Sequence, residues 1–381
     1  MLPARLVASV AACFLSLGLA MAKAQTRDVL YGFTAFPHDL TAEAVDQVHQ
    51  RILPNATLYA QHMDQCLPWH AALTGGAFPP WLQNDLKDIR ARRTPQQVMY
   101  VAVTPTKNDR RSVAAACAET EGKERSMPSV LRSARLNAPA LKTAYVNYVR
   151  RIADELKPTY MVVAIEISEL AIKHPGEWME FDELFRSTVE AMRQSHPNVK
   201  VGLEIVLQTV MKQSVGDMVK PTAELGDFIG VSFYPYGGEY GVKLGAPALP
   251  APPEQWRAPL RFLRQWTAKP VAMAETGYTT ANVKLAEAGI EFKGDSALQK
   301  QFLEDLIEFS VRDSYLFVVW FIAIDYTKLI AKFREMGTVQ EWMNIWVNTG
   351  LFDADLRPKA AFEVWSRWLN QSAIRAAPPR F

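Results

Sequence analysis

The chain has 381 residues, with 42 Lys and Arg against 40 Asp and Glu, for a formal net charge of +2 at pH 7. That near-neutral balance, with no Lys/Arg-rich helix, excludes a polyanion binder and so a nucleic-acid partner. The length allows one large α/β barrel or two smaller domains. Residues 1–24 read as a secretory signal: Arg5 is the only charge before an apolar run from Leu6 to Met21, and Ala22-Lys23-Ala24 forms a cleavage site. The run is too short and wrongly flanked to span a bilayer, and no later segment is long and apolar enough. Val10 to Cys13 resembles a lipobox, but the apolar run continues past Cys13, which argues against lipidation. A secreted or periplasmic location follows. In an oxidising compartment Cys66 and Cys117 could pair, and sequence leaves that open.

Strand-like runs then alternate with amphipathic helices. The strands are expected at 29–33, 57–60, 98–103, 160–167, 199–206, 227–233, 271–274 and 316–321. Thr41 caps a first helix carrying Val45, Val48 and Ile52 on one face. A second helix runs near 81–92, with Leu82, Leu86 and Ile89 in register. The loop from 104 to about 136 bears Lys107, Arg110, Arg111, Lys123 and Arg125. It reads as solvated, in preference to a contact with an acidic glycan. Asn137 caps a helix with Pro139 in its first turn and Leu141, Tyr145, Tyr148 and Ile152 on its inner face. Further helices are expected at 181–194, more weakly at 208–224, then at 254–266 despite Pro259. Ser296-x-x-Gln299 reads as a capping box for a helix to Val311, and a last helix covers 360–369. Residues 237–253 read as a Gly- and Pro-rich surface flap, and 372–381 as a frayed tail.

Eight strands, most followed by a helix, predict an α/β fold, a single (β/α)8 TIM barrel over 25–371. No Gly-rich phosphate fingerprint follows the first strand, which argues against a nucleotide fold and leaves no cofactor implied. A monomer is expected.

Catalytic groups of a barrel sit at the carboxyl ends of its strands. Two carboxylates stand there among apolar neighbours: Glu166 on strand four and Glu275, which ends the apolar run Val271 to Ala274. Paired carboxylates are what glycosidic cleavage needs, one to protonate the leaving oxygen and one to attack the anomeric carbon. The acid then needs a raised pKa, which an apolar pocket around Glu166 would supply.

Three motifs carry a resemblance: Ala-Ile-Glu-Ile-Ser at 164–168, Asp-Phe-Ile-Gly-Val-Ser-Phe-Tyr-Pro-Tyr at 227–236, and Lys-Pro-Val-Ala-Met-Ala-Glu-Thr-Gly-Tyr at 269–278. With Thr-Gly-Leu-Phe-Asp at 349–353 and Pro358-Lys359-Ala360, the chain resembles clan A glycoside hydrolases. The likeness is to bacterial secreted proteins similar to family 53, the arabinogalactan endo-β-1,4-galactanases. The resemblance implies a retaining β-glycoside hydrolase acting on a poly- or oligosaccharide, with Glu166 as acid/base and Glu275 as nucleophile. It also implies that Tyr234 hydrogen-bonds the nucleophile and that Trp320 floors the subsite holding the attacked sugar. One position departs: the clan places Asn before the acid, where this chain has Ile165. Either Ser168 or Gln208 replaces that hydrogen bond, or the substrate differs, or activity is weak. A non-catalytic carbohydrate-binding barrel is therefore the alternative.

His38, His62, Asp64 and His70 fall near the ends of the first two strands. They lack His-x-His or His-Glu-x-x-His spacing, so no metal site is expected. They are expected instead to bind sugar hydroxyls or to order loops, with Asp64 the best candidate among them. Trp69 is a candidate sugar platform, and Asp325 either lines the mouth or pairs with an Arg. Glu169 rivals Glu166 as the acid, but strand alternation would turn it to the other face.

Overall fold

A computed structural model describes residues 28–371, apart from 238–241, 244, 249, 287 and 288. The signal at 1–24, the tail at 372–381 and part of the 237–253 flap therefore lie outside the described residues. Within these bounds no helix is long and apolar enough to cross a membrane.

Eight parallel strands form the main sheet. They are β1 (Leu30–Phe33), β2 (Leu58–Met63), β3 (Val98–Val103), β4 (Tyr160–Val162), β5 (Lys200–Val206), β6 (Phe228–Phe233), β7 (Val271–Thr276) and β8 (Phe317–Trp320). Each pairs with its sequence neighbour from β2 onward, and β8 pairs with β1. A parallel bridge between Thr34 and Ala60 and a bond from Thr57 N to Tyr31 O bring β1 to β2 and close the ring. The fold is a (β/α)8 barrel, as the alternation predicts.

The pleat sorts the strand residues between two cores. Leu58, Ala60, Tyr100, Ala102, Val162, Phe228, Ala272, Ala274, Phe317 and Val319 fill the barrel interior. Their alternates, among them Tyr59, Val101, Leu203, Val231, Met273, Val318 and Trp320, pack outward under the helices. Gly230 belongs to the interior layer, where a Cβ would lie 3.1 Å from Val162 and 3.4 Å from Ala274.

The helices follow their apolar stripes. Thr41 caps Ala42–Ile52 by accepting from Ala44 N. Pro139–Leu156 buries Leu141, Tyr145, Tyr148 and Ile152, but Asn137 does not cap it; its amide reaches Glu183 instead. The Ser296–Arg312 helix is capped by Asp295, which accepts from Ala297 N and Leu298 N. Gln299 is drawn into the core, donating to Tyr278 O, so Ser296-x-x-Gln299 is no capping box. The weak 208–224 region resolves into Leu207–Val210 and Gln213–Ala223, with Pro221 inside the second. Sequence periodicity missed the helix Thr327–Glu335 and two small hairpins, 116–117 with 124–125 and 283–285 with 290–292. Cys66 and Cys117 form a disulfide, Cα to Cα 5.0 Å.

Candidate active site

The upper interior of the barrel, above the apolar layers, is polar. His62 continues the inward face of β2 after Leu58 and Ala60, and Glu204 continues that of β5 after Gly202. Ser232 continues that of β6 after Gly230. Glu275 sits near the end of β7, where a register shift between Val231 and Ser232 sets it opposite Ser232. The turn that follows needs Gly277, because a Cβ there would stand 2.5 Å from Phe321 O and 3.3 Å from Tyr234.

Glu275 is 7% exposed. Tyr234 donates its hydroxyl to Glu275 Oε1 at 2.6 Å, and His62 Nδ1 lies 3.5 Å from Oε2. His62 Nε2 in turn stands 3.6 Å from Asp64. Burial opposes a charge on His62, but its hydrogen bond and charge interaction with Asp64, and the Glu275 carboxylate, outweigh it and push the imidazole up to about 9. Glu275 is pushed up to about 7, by burial first and by the Glu166 charge, against the pull of His62 and Tyr234.

Glu166 is not presented by a strand. β4 ends at Val162, and the chain leaves the ladder before the helix Ser168–Lys173 begins. Glu166 takes φ 48° in this turn, in the left-handed region. The segment stays tied to β5 through Glu204 N to Ala164 O and Ile167 N to Glu204 O. Ser232 donates to Glu166 Oε1 at 2.7 Å, and Arg110 Nη2 donates to Oε2 at 2.8 Å. One serine thus touches Glu166 while sitting in register with Glu275, which brings the two carboxylates into one mouth. The expected raised pKa of Glu166 is reversed. Burial does push it up, but the Arg110 charge and hydrogen bond, Ser232 and His62 hold it below the ordinary carboxylate range.

Arg110 therefore departs from the solvated reading of its loop, at 7% exposed, while Lys107, Arg111, Lys123 and Arg125 are exposed as that reading expects. Sequence reasoning also missed Glu204, which is fully buried with no hydrogen-bond partner on either oxygen. Burial, then the charges of Glu275 and Glu166, push it well above the usual range. A signal existed: Glu204 interrupts the apolar inward face of Lys-Val-Gly-Leu-Glu-Ile-Val.

Three expected site residues are not at the mouth. Trp69 is completely buried, its Nε1 donating to Ala114 O at 2.7 Å beside Tyr145, so it is a core residue and no platform. Trp320 is also completely buried. The pleat of β8 turns it outward against Phe302, with Nε1 donating to Thr349 O. Its neighbour Phe321 takes the mouth side, among Phe36, Tyr234, Tyr326 and Trp346 at ring-centroid distances of 5.7–6.4 Å. Phe36, Tyr234 and Trp346 are partly exposed there. Asp325 is 6% exposed and held by Lys359 at 3.0 Å and Gly350 N at 2.8 Å. It is a structural ion pair, with lysine rather than arginine.

Asp64 does border open space, a depression of about 630 Å³ lined also by Gln65, Lys107, Asp109, Glu121 and Lys123. His38 and His70 stand apart from His62. The His38 backbone is bonded by Leu329 N, and the His70 ring contacts Ser126 O. Among the described residues no group of three or more His, Cys, Asp or Glu side chains is placed to hold a metal ion. Of the substitutes considered for an Asn at 165, Ser168 Oγ is engaged by Val206 N and Thr209 Oγ1. Gln208 donates its amide to Tyr234 O at 2.7 Å. Ile165 points into the barrel interior and packs there. Glu169 is paired with Lys173 at 2.5 Å.

Comparison with solved structures places this arrangement on a known scaffold. A GH5_18 protein from Bifidobacterium longum subsp. longum, in complex with Manβ1-4GlcNAc, matches with a TM-score of 0.63 at 12% identity, over 90% of this chain and 78% of that one. An exo-β-1,4-mannosidase from Opitutaceae bacterium strain TAV5 matches at 0.59 and 12% identity, over 90% of this chain. The Ignisphaera aggregans GH53 catalytic domain matches at 0.52 and 17% identity, over 88% of this chain and 90% of that one. The chain shares their fold. It spans 59% of the length of the mannosidase. No protein-family model and no curated protein matches the sequence.

Proposed function

We propose that this chain is a retaining β-glycoside hydrolase acting on a poly- or oligosaccharide, with Glu275 as nucleophile and Glu166 as acid/base. The observation that carries it is Ser232, bonded to Glu166 and in register with Glu275, with Tyr234 and His62 gripping the Glu275 carboxylate. The Glu275 oxygen attacks the anomeric carbon as the glycosidic C–O bond breaks, and the Glu166 proton passes to the leaving oxygen. Water then gives its proton to Glu166 and its oxygen to the sugar, releasing Glu275. Asp64 and His62 would bind sugar hydroxyls. Phe321, with the partly exposed Phe36 and Trp346, would supply the apolar floor that the family resemblance implied for Trp320. The fold shared with a β-1,4-mannosidase and a GH53 domain supports a β-linked carbohydrate substrate. The disulfide supports an oxidising compartment, and with it secretion or a periplasmic place. No cofactor is called for, and the chain acts as a monomer.

Two observations favour a weaker enzyme or a non-catalytic sugar-binding barrel: Ile165 contributes no hydrogen bond, and Arg110 neutralises the acid. Trapping decides between them. A 2-deoxy-2-fluoro glycoside with a good leaving group should leave a covalent sugar on the peptide bearing Glu275, detected by mass. A label on another residue would overturn Glu275 as nucleophile, and no label across the common β-glycosides favours the binding barrel.

A further inference from the structure

The segment 107–112 is built to deliver one side chain. Lys107 N bonds Ser112 O at 2.8 Å, Arg110 N bonds Lys107 O at 2.9 Å, and Asp109 Oδ1 accepts from Arg111 N and Ser112 N at 2.8 Å each. A bridge between Thr106 and Val113 closes its base. At its apex Arg110 takes φ 57°, a conformation unfavourable for a side chain of this size. Its Nε and Nη1 are buried without an acceptor, while Nη2 holds Glu166. Strain and two unmet donors at one residue mark a contact kept for what it does to its partner rather than for stability.

Glu166 is faced by Arg110 from this turn, Ser232 from β6, His62 from β2, Glu204 from β5, Glu275 from β7 and Glu169 from its own segment. Arg110 is the cation in direct contact. We propose that Arg110 is the positioning residue that governs the proton on Glu166, holding it as a carboxylate in the free protein and so keeping the productive protonation state scarce. Its catalytic meaning rests on reading Glu166 as the acid. Attack needs the proton on Glu166 and a bare Glu275, the reverse of the resting preference. A state of that kind becomes about tenfold scarcer for each pH unit of gap between the two titrations.

The test is a carbon NMR titration of the full chain with 13C-carboxyl glutamate, using Glu166→Gln to assign the signal, alongside kcat/KM for a β-glycoside panel. Glu166 should titrate below the ordinary glutamate midpoint of about 4.3. Arg110→Gln should raise that midpoint by about one unit or more, and Arg110→Lys by less. In Arg110→Gln the kcat/KM plateau should then rise by about tenfold for each unit by which the gap narrows. A wild-type midpoint at or above the ordinary value overturns the proposal without any variant, as does an unmoved midpoint in folded Arg110→Gln. A raised midpoint with a lowered plateau, or with no glycoside cleaved by any form, supports the hold of Arg110 and overturns Glu166 as acid.

Discussion

The Tyr234 hydroxyl donates to Glu275 Oε1 at 2.6 Å, tying the residue after β6 to the carboxylate of β7. A hydrogen bond to a carboxylate favours its charged form, so this tyrosine counters the burial that pushes Glu275 up to about 7. Removing it in Tyr234→Phe should lower kcat/KM by about 10- to 100-fold, the worth of a charge-assisted bond of about 1.5–3 kcal/mol. The sign for pH follows: Glu275 titrates higher without the bond, so the alkaline limb of the kcat/KM profile, set by Glu275, moves above about 7. A pH–rate series on the purified variant checks both.

Stability should fall as pH rises across the same site. His62 titrates near 9 in the folded chain against 6.5 as a free side chain, so its contribution is complete below about 6.5 and lost by about 9. Glu275, raised from 4.5 to about 7, works in the same direction at lower pH. Thermal melts from pH 5 to 9 should show a declining Tm. His62→Asn should flatten the upper part of the decline and Glu275→Gln the lower. A Tm that climbs between pH 6.5 and 9 would contradict the imidazolium between Asp64 and Glu275.

Trp69 separates a platform from a core. With no exposed surface and a buried indole bond to Ala114 O, Trp69→Ala should cost about 3–5 kcal/mol of stability. Denaturant unfolding checks this. A variant of unchanged stability and raised KM would instead restore Trp69 to the binding site.

The disulfide closes a sequence separation of 51 residues. Replacing Cys66 and Cys117 together by serine should cost about 2–4 kcal/mol, read as a lowered urea midpoint. Cys66 and Lys107 border the depression beside Asp64, so the loss should loosen that rim more than the barrel.

The barrel was legible because eight apolar runs of strand length recur with amphipathic segments between them. Glu275 was legible for the same reason, as a carboxylate ending one such run. Tyr234 came with the likeness of its motif. What sequence hid was parity and backbone sign. The pleat of β8 sends Trp320 outward and leaves the mouth to Phe321, the residue after the strand, and nothing in Leu-Phe-Val-Val-Trp-Phe marks which of the two faces in. Glu166 looks like a strand residue, yet a left-handed turn presents it. Arg110 lies in Lys-Asn-Asp-Arg-Arg, a run that reads as solvated because the turn aiming it inward depends on the Asp109 carboxylate and backbone bonds. Glu204 was visible as a charge on an apolar inward face, but the two carboxylates at strand ends drew the assignment away from it.

The roles of Glu275 and Glu166 are tested most directly by hydrolysis of a β-glycan panel by wild type, Glu275→Gln and Glu166→Gln, with the anomeric configuration of the released sugar followed by proton NMR. Wild type should release sugar with the configuration of the substrate, and each variant should lose about a thousandfold or more in kcat. Activity surviving in Glu275→Gln, or release with inverted configuration, would contradict those roles.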